Sequence, residues 1–472
     1  MEGKRDSWGN NFGFLMAAIG SAVGLGNIWG FPYKMGANGG FAFLIVYLAL
    51  AVLIGFTVML GELTIGRKSG KGAVGAYVAL SKHFKWVGWL GALSAFLIMS
   101  FYSVLGGYCL KYMVLNFGDL INASFGSAGQ NGGDIFGALL TNQAESIMYT
   151  LFFMIISCAI VMGGIAGGIE KFSKFAMPAL FVLLVIVIVR SVTLDGAMDG
   201  LAFMFKPNIE PLKKDFLGVL SSASGQMFFS LSLGMAIMIT YGSYLPKKEN
   251  LERNSFIIIF SDTFIAILAG LAVIPAAFAL GGEGAALAGP KLLYITLQNV
   301  FAAMGSIGPL IGVLFYLLVA IAAITSAISL IETTVTFFMD SAESKGGSGN
   351  RKVIAFIVSL IIMAEATLVA ADGLGSNGLW VPFQKSFGVH GWNDCWLDFM
   401  DVMSEGIMMP LGALLMCLFI GYEYGIKKFG EEITIAGFPF RSEAFFSLCC
   451  RYIAPIGLAF VLWGQLKNFG IV

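Results

Sequence analysis

The chain has 472 residues, of which 58% are hydrophobic and only 12% charged, and its formal net charge is zero. A soluble protein of this length needs far more charge to cover its surface, and a neutral balance speaks against a nucleic-acid partner. Apolar runs of about twenty residues, each long enough to cross a bilayer, recur throughout. The sequence therefore reads as an all-α polytopic membrane protein, a single transmembrane domain over 1–472.

Eleven spans are expected, near 11–35, 41–66, 88–115, 147–166, 172–191, 218–245, 252–281, 307–340, 351–372, 396–423 and 442–468. The opening "MEGKRDSW" lacks the short apolar core and small-residue cleavage site of a signal peptide, so the first run is expected to remain as a span. With the N-terminus inside, about eighteen Lys and Arg fall in inner segments against roughly six in outer ones. An odd span count then leaves the C-terminus outside, in a plasma (inner) membrane of a bacterium-like cell. The longer outer connections are 116–146, 282–306, whose short apolar stretches could fold back as a lid, and 373–395. His83 and His390 fall in loops, and the six cysteines show no metal-type spacing, so they read as small buried hydrophobes.

Two spans carry breaks. In "AAIGSAVGLGNIWGFP" (17–32), glycines at 20, 24, 26 and 30 surround Asn27, an amide at membrane depth. In "GQMFFSLSLGMAIMITYGSYL" (225–245), Gly234 follows Ser230 and Ser232. A single glycine-rich helix is ordinarily a close-packing face. Here the breaks fall in the first and sixth spans, which run in opposite directions, as in an inverted-repeat transporter. Unwinding a helix in lipid frees N–H and C=O groups, each costing several kcal/mol if unpaired. Freed carbonyls suit a hard cation, and the positive end of a half-helix suits an anion. A broken span is thus read as a binding site for a cation beside a carboxylate.

Four motifs, "SAVGLGNIWGFPY", "GELTIGR", "FFSLSLGM" and "AAITSAISL", in this order closely resemble the neurotransmitter:sodium symporter family, in particular its bacterial amino-acid transporters of the leucine-transporter fold. The resemblance implies a 5+5 inverted repeat with unwound helices 1 and 6 (repeats at about 8–192 and 216–424) and an additional helix at about 442–468. It also implies Na⁺ at two sites. The first would use the Ala22 carbonyl, Asn27, Ser230 and a residue of the seventh span. That residue is commonly Asn; Asp262 is preferred here over its neighbour Ser261, because an intramembrane carboxylate needs a partner and Na⁺ supplies one. The second would use the carbonyls of Gly20, Val23 and Ala322 with the hydroxyls of Thr325 and Ser326, although a Thr–Ser pair in a membrane helix often bonds only its own backbone. Two Na⁺ and a zwitterion add two positive charges to a dry site, where unbalanced charge is expensive. Chloride-dependent relatives resemble this chain at Tyr47 and Gln226, but Ala266 lacks their serine hydroxyl. Asp262 would supply the missing negative charge, so no chloride is expected.

Gly24 stands where the family's monoamine transporters carry an aspartate, which favours an amino acid over a decarboxylated amine. Its carboxylate would meet Na⁺, with Ala22 and Ser230 close by, the backbone near Leu25 and Gly26, and the Tyr102 hydroxyl. Ile98, Phe229, Ser232, Met235, Ser326 and Leu330 would line the side-chain pocket. Mostly apolar walls and the flexible thioether of Met235 suit large hydrophobic or aromatic L-amino acids. By the same resemblance, Arg5, Trp8, Ser243, Tyr244 and Asp340 form the inner gate, with Arg5 pairing Asp340, and Glu62 braces the unwound part of helix 6. The outer gate departs from the family pattern, since Gly30 replaces the usual arginine while Asp401 is kept. Lys34, one turn on, could pair with Asp401, or water or a substrate group could compensate it; Tyr102 and Phe229 would still form an aromatic lid. The expected activity is sodium-coupled amino-acid import by alternating access, not an enzymatic reaction. The rival is a non-transporting amino-acid receptor on the same scaffold. The expected partners are the substrate and the lipid bilayer, with a homo-oligomer possible.

Overall fold

The computed structural model describes residues 6–127, 129–281, 291–346, 349–382 and 395–468. Among these residues there is no strand; the chain is a bundle of helices. The first span, α1, consists of two halves, Asn11–Ala22 and Gly26–Ala37, bent by 44° at the break. It is followed by α2 (Phe41–Ser69), α3 (Val87–Leu120), α4 (Gln143–Met162) and α5 (Ile165–Val192). The next, α6, is again split, into Phe216–Ser230 and Ile237–Ser243. Then come α7 (Leu251–Gly281), α8 (Gly305–Ser344), α9 (Arg351–Asp372), α10 (Trp396–Tyr424) and α11 (Glu443–Lys467). Nine described helices are long and apolar enough to cross a membrane alone, and the bent α1 makes a tenth. Neither half of α6 qualifies alone; read end to end, 216–243 is long enough to span.

Some ends differ from expectation for local reasons. The fourth span stops at Met162 rather than near 166, because Gly164 adopts φ +80° and breaks the helix. The fifth then begins at Ile165 in a widened π turn. The third runs on to Leu120, past the expected 115, carried by the apolar side chains of Val114, Phe117 and Leu120.

Burial sorts the spans. The most apolar stretch of α3 is 72% buried, whereas that of α5 is only 33% buried. Phe175, Val182 and Val189 of α5 and a ladder of Phe256, Phe260 and Phe264 on α7 face outward, as lipid-facing side chains must. The halves of α1 and α6 sit inside, with α3 and α8 packed along each other beside them. Between α7 and α8 a short helix, Leu292–Ala303, folds back and buries Leu292, Leu293 and Tyr294. Tyr294 stacks on Phe136 at 5.4 Å. The rest of the expected lid, 282–290, lies outside the described residues, as does His390. All six cysteines are free and buried.

The α6 break is built by backbone that L-residues avoid. Ser232 (φ 54°), Gly234 (φ 77°) and Ala236 (φ 58°) all lie in the left-handed region, at about 1–2 kcal/mol for each non-glycine. Only glycine fits at 234, where a Cβ would sit 2.6 Å from the Met409 carbonyl oxygen. The distortion survives because Glu62 of α2 accepts the Gly234 N–H at 2.7 Å. That buried carboxylate also faces the N-terminal end of the second half-helix, where N–H groups lack helical partners.

Candidate functional site

Ending a helix at Ala22 removes the partners of its last carbonyls. Two are recovered. The Ile19 carbonyl takes the Val23 N–H at 2.7 Å, and that of Ser21 takes the hydroxyls of Ser232 and Ser326, each at 2.9 Å. The carbonyls of Gly20, Ala22 and Val23 receive no hydrogen bond from the described residues. All three residues are buried. Three buried carbonyl oxygens at the gap in α1 are therefore left without a donor, a costly arrangement unless a cation meets them.

Beside the gap lies Asp262 of α7, fully buried. The Asn27 side-chain amide donates to its carboxylate at 2.7 Å, and the Ser230 hydroxyl at 2.9 Å. Tyr47 donates from α2 at 3.3 Å. No described Lys or Arg forms an ion pair with Asp262. The Asn27 amide oxygen accepts the Gly24 N–H at 3.2 Å, which ties the side chain across the break. Asn27, Ser230 and Asp262 thus converge, while Ala22 lines the pocket described below and Ser261 is half-buried and enters none of these bonds. Gln226 donates to the Gly26 carbonyl at 2.7 Å, and its own amide oxygen is buried without a partner among the described residues.

The second constellation joins α1 to α8. A Cβ on Gly20 would lie 3.3 Å from the Thr325 Cβ, so the two helices touch there. Thr325 donates to the Ala322 carbonyl at 2.9 Å. Ser326 instead reaches across to α1, at Ser21. A hydroxyl that donates its one proton keeps lone pairs to offer a cation, so these bonds leave both oxygens usable. Gly20 and Thr325, and Ser21 and Ser326, thus meet across the α1–α8 contact, with Val23 and Ala322 buried nearby in the chain.

Between the two lies a small pocket lined by Ala22, Gly24, Gly26, Ile98, Tyr102, Phe229, Ser232, Met235, Ser326 and Leu330, with Ser21 and Ile237. Leu25 faces it through its N–H, which donates to the Tyr102 hydroxyl at 3.0 Å. Tyr102 and Phe229 meet at 6.3 Å between ring centroids. Only about 20 Å³ is open to a water-sized sphere, room for about one water. Phe229 also borders a vestibule of about 440 Å³, so the two aromatic rings separate the pocket from that space.

The expected inner-gate residues lie on the side of the break away from this vestibule. Trp8 is 4% exposed; its indole N–H donates to the Tyr241 carbonyl at 3.0 Å, and its ring packs against Phe14, Tyr241 and Tyr244. Ser243 donates to Thr240 within its own helix. Asp340 accepts the Gly72 N–H at 2.6 Å. Its expected partner, Arg5, lies outside the described residues. Glu332, which lies in none of the four motifs, holds this side together. Its carboxylate takes the Tyr244 hydroxyl at 2.7 Å and forms an ion pair with Arg351 of α9, which also faces Asp6 at 3.6 Å. A fully buried Glu within a span demands a cation, and Arg351 is the first arginine after it in sequence; that was the available signal.

The outer contact differs from the expected one. Lys34 does reach α10, but its ion pair is with Glu405 rather than Asp401. Asp401 lies one turn earlier on the same face, and both carboxylates line the vestibule. The extra turn brings Glu405 under Gly225 of α6, where a Cβ would lie 2.8 Å from its Oε1.

Membrane helices severed at two places around desolvated oxygens serve a carrier that must grip an ion and a solute and then release both. The fold and its centre are those of an ion-coupled membrane transporter with the leucine-transporter architecture. The chain belongs to the sodium:neurotransmitter symporter family, whose model matches residues 5–125 and 140–471. It is a sodium-dependent transporter of that family. It is 34% identical over 98% of its length to the uncharacterized sodium-dependent transporter YhdH of Bacillus subtilis, 97% of which is covered. A sodium-dependent transporter of Methanocaldococcus jannaschii, MJ1319, is 30% identical over 98% of this chain and 91% of its own. Among solved structures, MhsT in complex with L-phenylalanine aligns with a TM-score of 0.86 at 36% identity, covering 98% of this chain and 100% of that one.

Proposed function

We propose that this protein imports large hydrophobic or aromatic L-amino acids together with two Na⁺ ions, by alternating access and without chloride. The observation that carries the reading is the buried Asp262 carboxylate, held by Asn27 and Ser230 without a basic partner among the described residues. A cation seated among Asp262, Ser230, Asn27 and the orphaned Ala22 carbonyl neutralises that charge. Turning the Asn27 amide over presents its oxygen at the same place. The second ion takes the carbonyls of Gly20, Val23 and Ala322 with Thr325 and Ser326. One carboxylate in the site balances one of the two added positive charges, the role a bound chloride would otherwise fill.

The substrate carboxylate is held by the first ion, the Tyr102 hydroxyl and the N–H groups of the α1 break. Its side chain enters between Ile98, Met235 and Leu330. The pocket has too little free space for a phenyl ring as it stands, so Met235, unbranched and flexible, and the Phe229 lid must shift to admit one. That MhsT was solved with L-phenylalanine supports this class of substrate. Closure of Trp8 on one side and an open vestibule on the other fit the outward-facing, lidded stage of a cycle. The inverted repeats at 8–192 and 216–424 rock around the two breaks, with the N-terminus cytoplasmic and the C-terminus outside. The vestibule and the inner plug favour transport over a non-transporting receptor.

The test is uptake into proteoliposomes under an imposed inward Na⁺ gradient, with chloride replaced by gluconate. Uptake should need Na⁺ and proceed equally in gluconate. Uptake that collapses without chloride, or binding without accumulation, defeats the proposal.

A further inference from the structure

Asp401 and Glu405 of α10 both line the outer vestibule, and their carboxyl groups lie within hydrogen-bond reach of each other. Two ionised carboxylates repel at that distance, whereas a proton between them turns the contact into a hydrogen bond. The surrounding elements supply few countercharges. From α1 come Tyr33 and Lys34; from α6, Ser222 and Gln226, with Asp215 at its start; from α11, Gln465; and from α3, Phe101. Asp398 stands one turn earlier on α10 itself. Lys34 is the single described cation among them, and its ammonium is committed to Glu405. One lysine balances one carboxylate. Water is held off Glu405, whose side chain is 12% exposed. On that side the α6 backbone at Gly225 leaves no room for a Cβ beside Glu405 Oε1 (2.8 Å) and Gln465 Nε2 (3.1 Å).

We propose that Asp401 and Glu405 together bind one exchangeable proton, carried on Asp401 and reached from outside through the vestibule. The Asp401 O–H donates to Glu405, whose carboxylate also accepts the Lys34 ammonium. Loss of the proton to external hydroxide or buffer base leaves two anions facing one lysine. Lys34 is then held harder against α10, and the outer gate, which must separate α1 from α10, opens more slowly. External pH thereby sets the rate of outer opening. This rests on the α1–α10 contact being the outer gate, but not on substrate identity.

Infrared spectroscopy of the purified protein tests the proton without any transport. The wild type should show a protonated-carboxyl stretching band that is absent from Asp401→Asn and disappears as pH rises. Glu405→Gln, which leaves Asp401 alone with Lys34 and free to ionise, should lose the same band, so one misfolding variant does not void the test. In proteoliposomes, wild-type uptake should fall as external pH is raised at constant internal pH, by at most about tenfold per pH unit for one proton. The normalised profile should flatten in Asp401→Asn. A band that persists in both variants, or a wild-type pH slope retained by Asp401→Asn, overturns the proposal.

Discussion

Replacing Asp262 by Asn removes one charge while nearly preserving shape. The amide oxygen can still accept from Asn27 (2.7 Å) or Ser230 (2.9 Å), so the fold should lose only about 1 kcal/mol, the net worth of a typical hydrogen bond. The sodium site loses more. A contact to a charged group is worth about 1.5–3 kcal/mol, and each 1.4 kcal/mol is about tenfold in affinity. Half-maximal uptake should therefore require about 10–100 times more Na⁺. Because the missing quantity is negative charge, chloride should lower the Na⁺ requirement of the variant while leaving the wild type indifferent. The assay is initial-rate uptake of labelled L-phenylalanine over a Na⁺ series, in chloride and in gluconate, with melting temperature as the folding control. A variant of unchanged Na⁺ requirement and normal stability would refute the placement of the ion at Asp262.

Three further outcomes are expected. Tyr102→Phe removes the hydroxyl proposed to hold the substrate carboxylate; at about 1.5–3 kcal/mol for a hydrogen bond to a charged group, substrate binding should weaken by about 10–100-fold in equilibrium binding, and the melting temperature should fall because the buried Leu25 N–H, now bonded at 3.0 Å, loses its acceptor. Gly24→Ala places a methyl group 2.6 Å from the Tyr102 oxygen and against Ser326, so binding should be abolished at any substrate concentration tested by calorimetry. Trp8→Ala empties a site that is 4% exposed and should cost about 3–5 kcal/mol. The same change should make a cysteine placed at Ala322 reactive toward a polar reagent from the inner side, and continued protection would show that Trp8 is not the plug.

Much of the architecture was visible in the sequence because its features are local. Glycines clustered within apolar runs mark α1 and α6 as broken, and the Ser, Thr and Asn residues beside them mark the oxygens that gather there. The structure brings these residues together across long separations, with Asn27 and Asp262 in direct contact. What could not be read is pairing between distant side chains on faces that look equivalent in sequence. Lys34 could meet Asp401 or Glu405, one turn apart on α10; the choice falls to Glu405 because α6 crosses at a glycine, Gly225, a fact of three-dimensional packing. Glu332 is likewise an acid in an apolar helix whose partner, Arg351, lies across the α8–α9 connection. The positive-φ residues Ser232 and Ala236 were also hidden, since neither residue type announces a left-handed backbone. Span ends shifted where a glycine, such as Gly164, ended a helix earlier than hydropathy alone implied.

The account stands or falls on cation and solute sharing one centre between the severed helices. By linkage, each must tighten the other by the same factor. The direct measurement is equilibrium binding of L-phenylalanine to the purified transporter as Na⁺ is replaced by choline at constant ionic strength. Affinity should fall by about 100-fold or more, as loss of about 3 kcal/mol of coupling requires, and saturating L-phenylalanine should sharpen Na⁺ binding equally. An affinity that is the same in choline and in Na⁺ would contradict it.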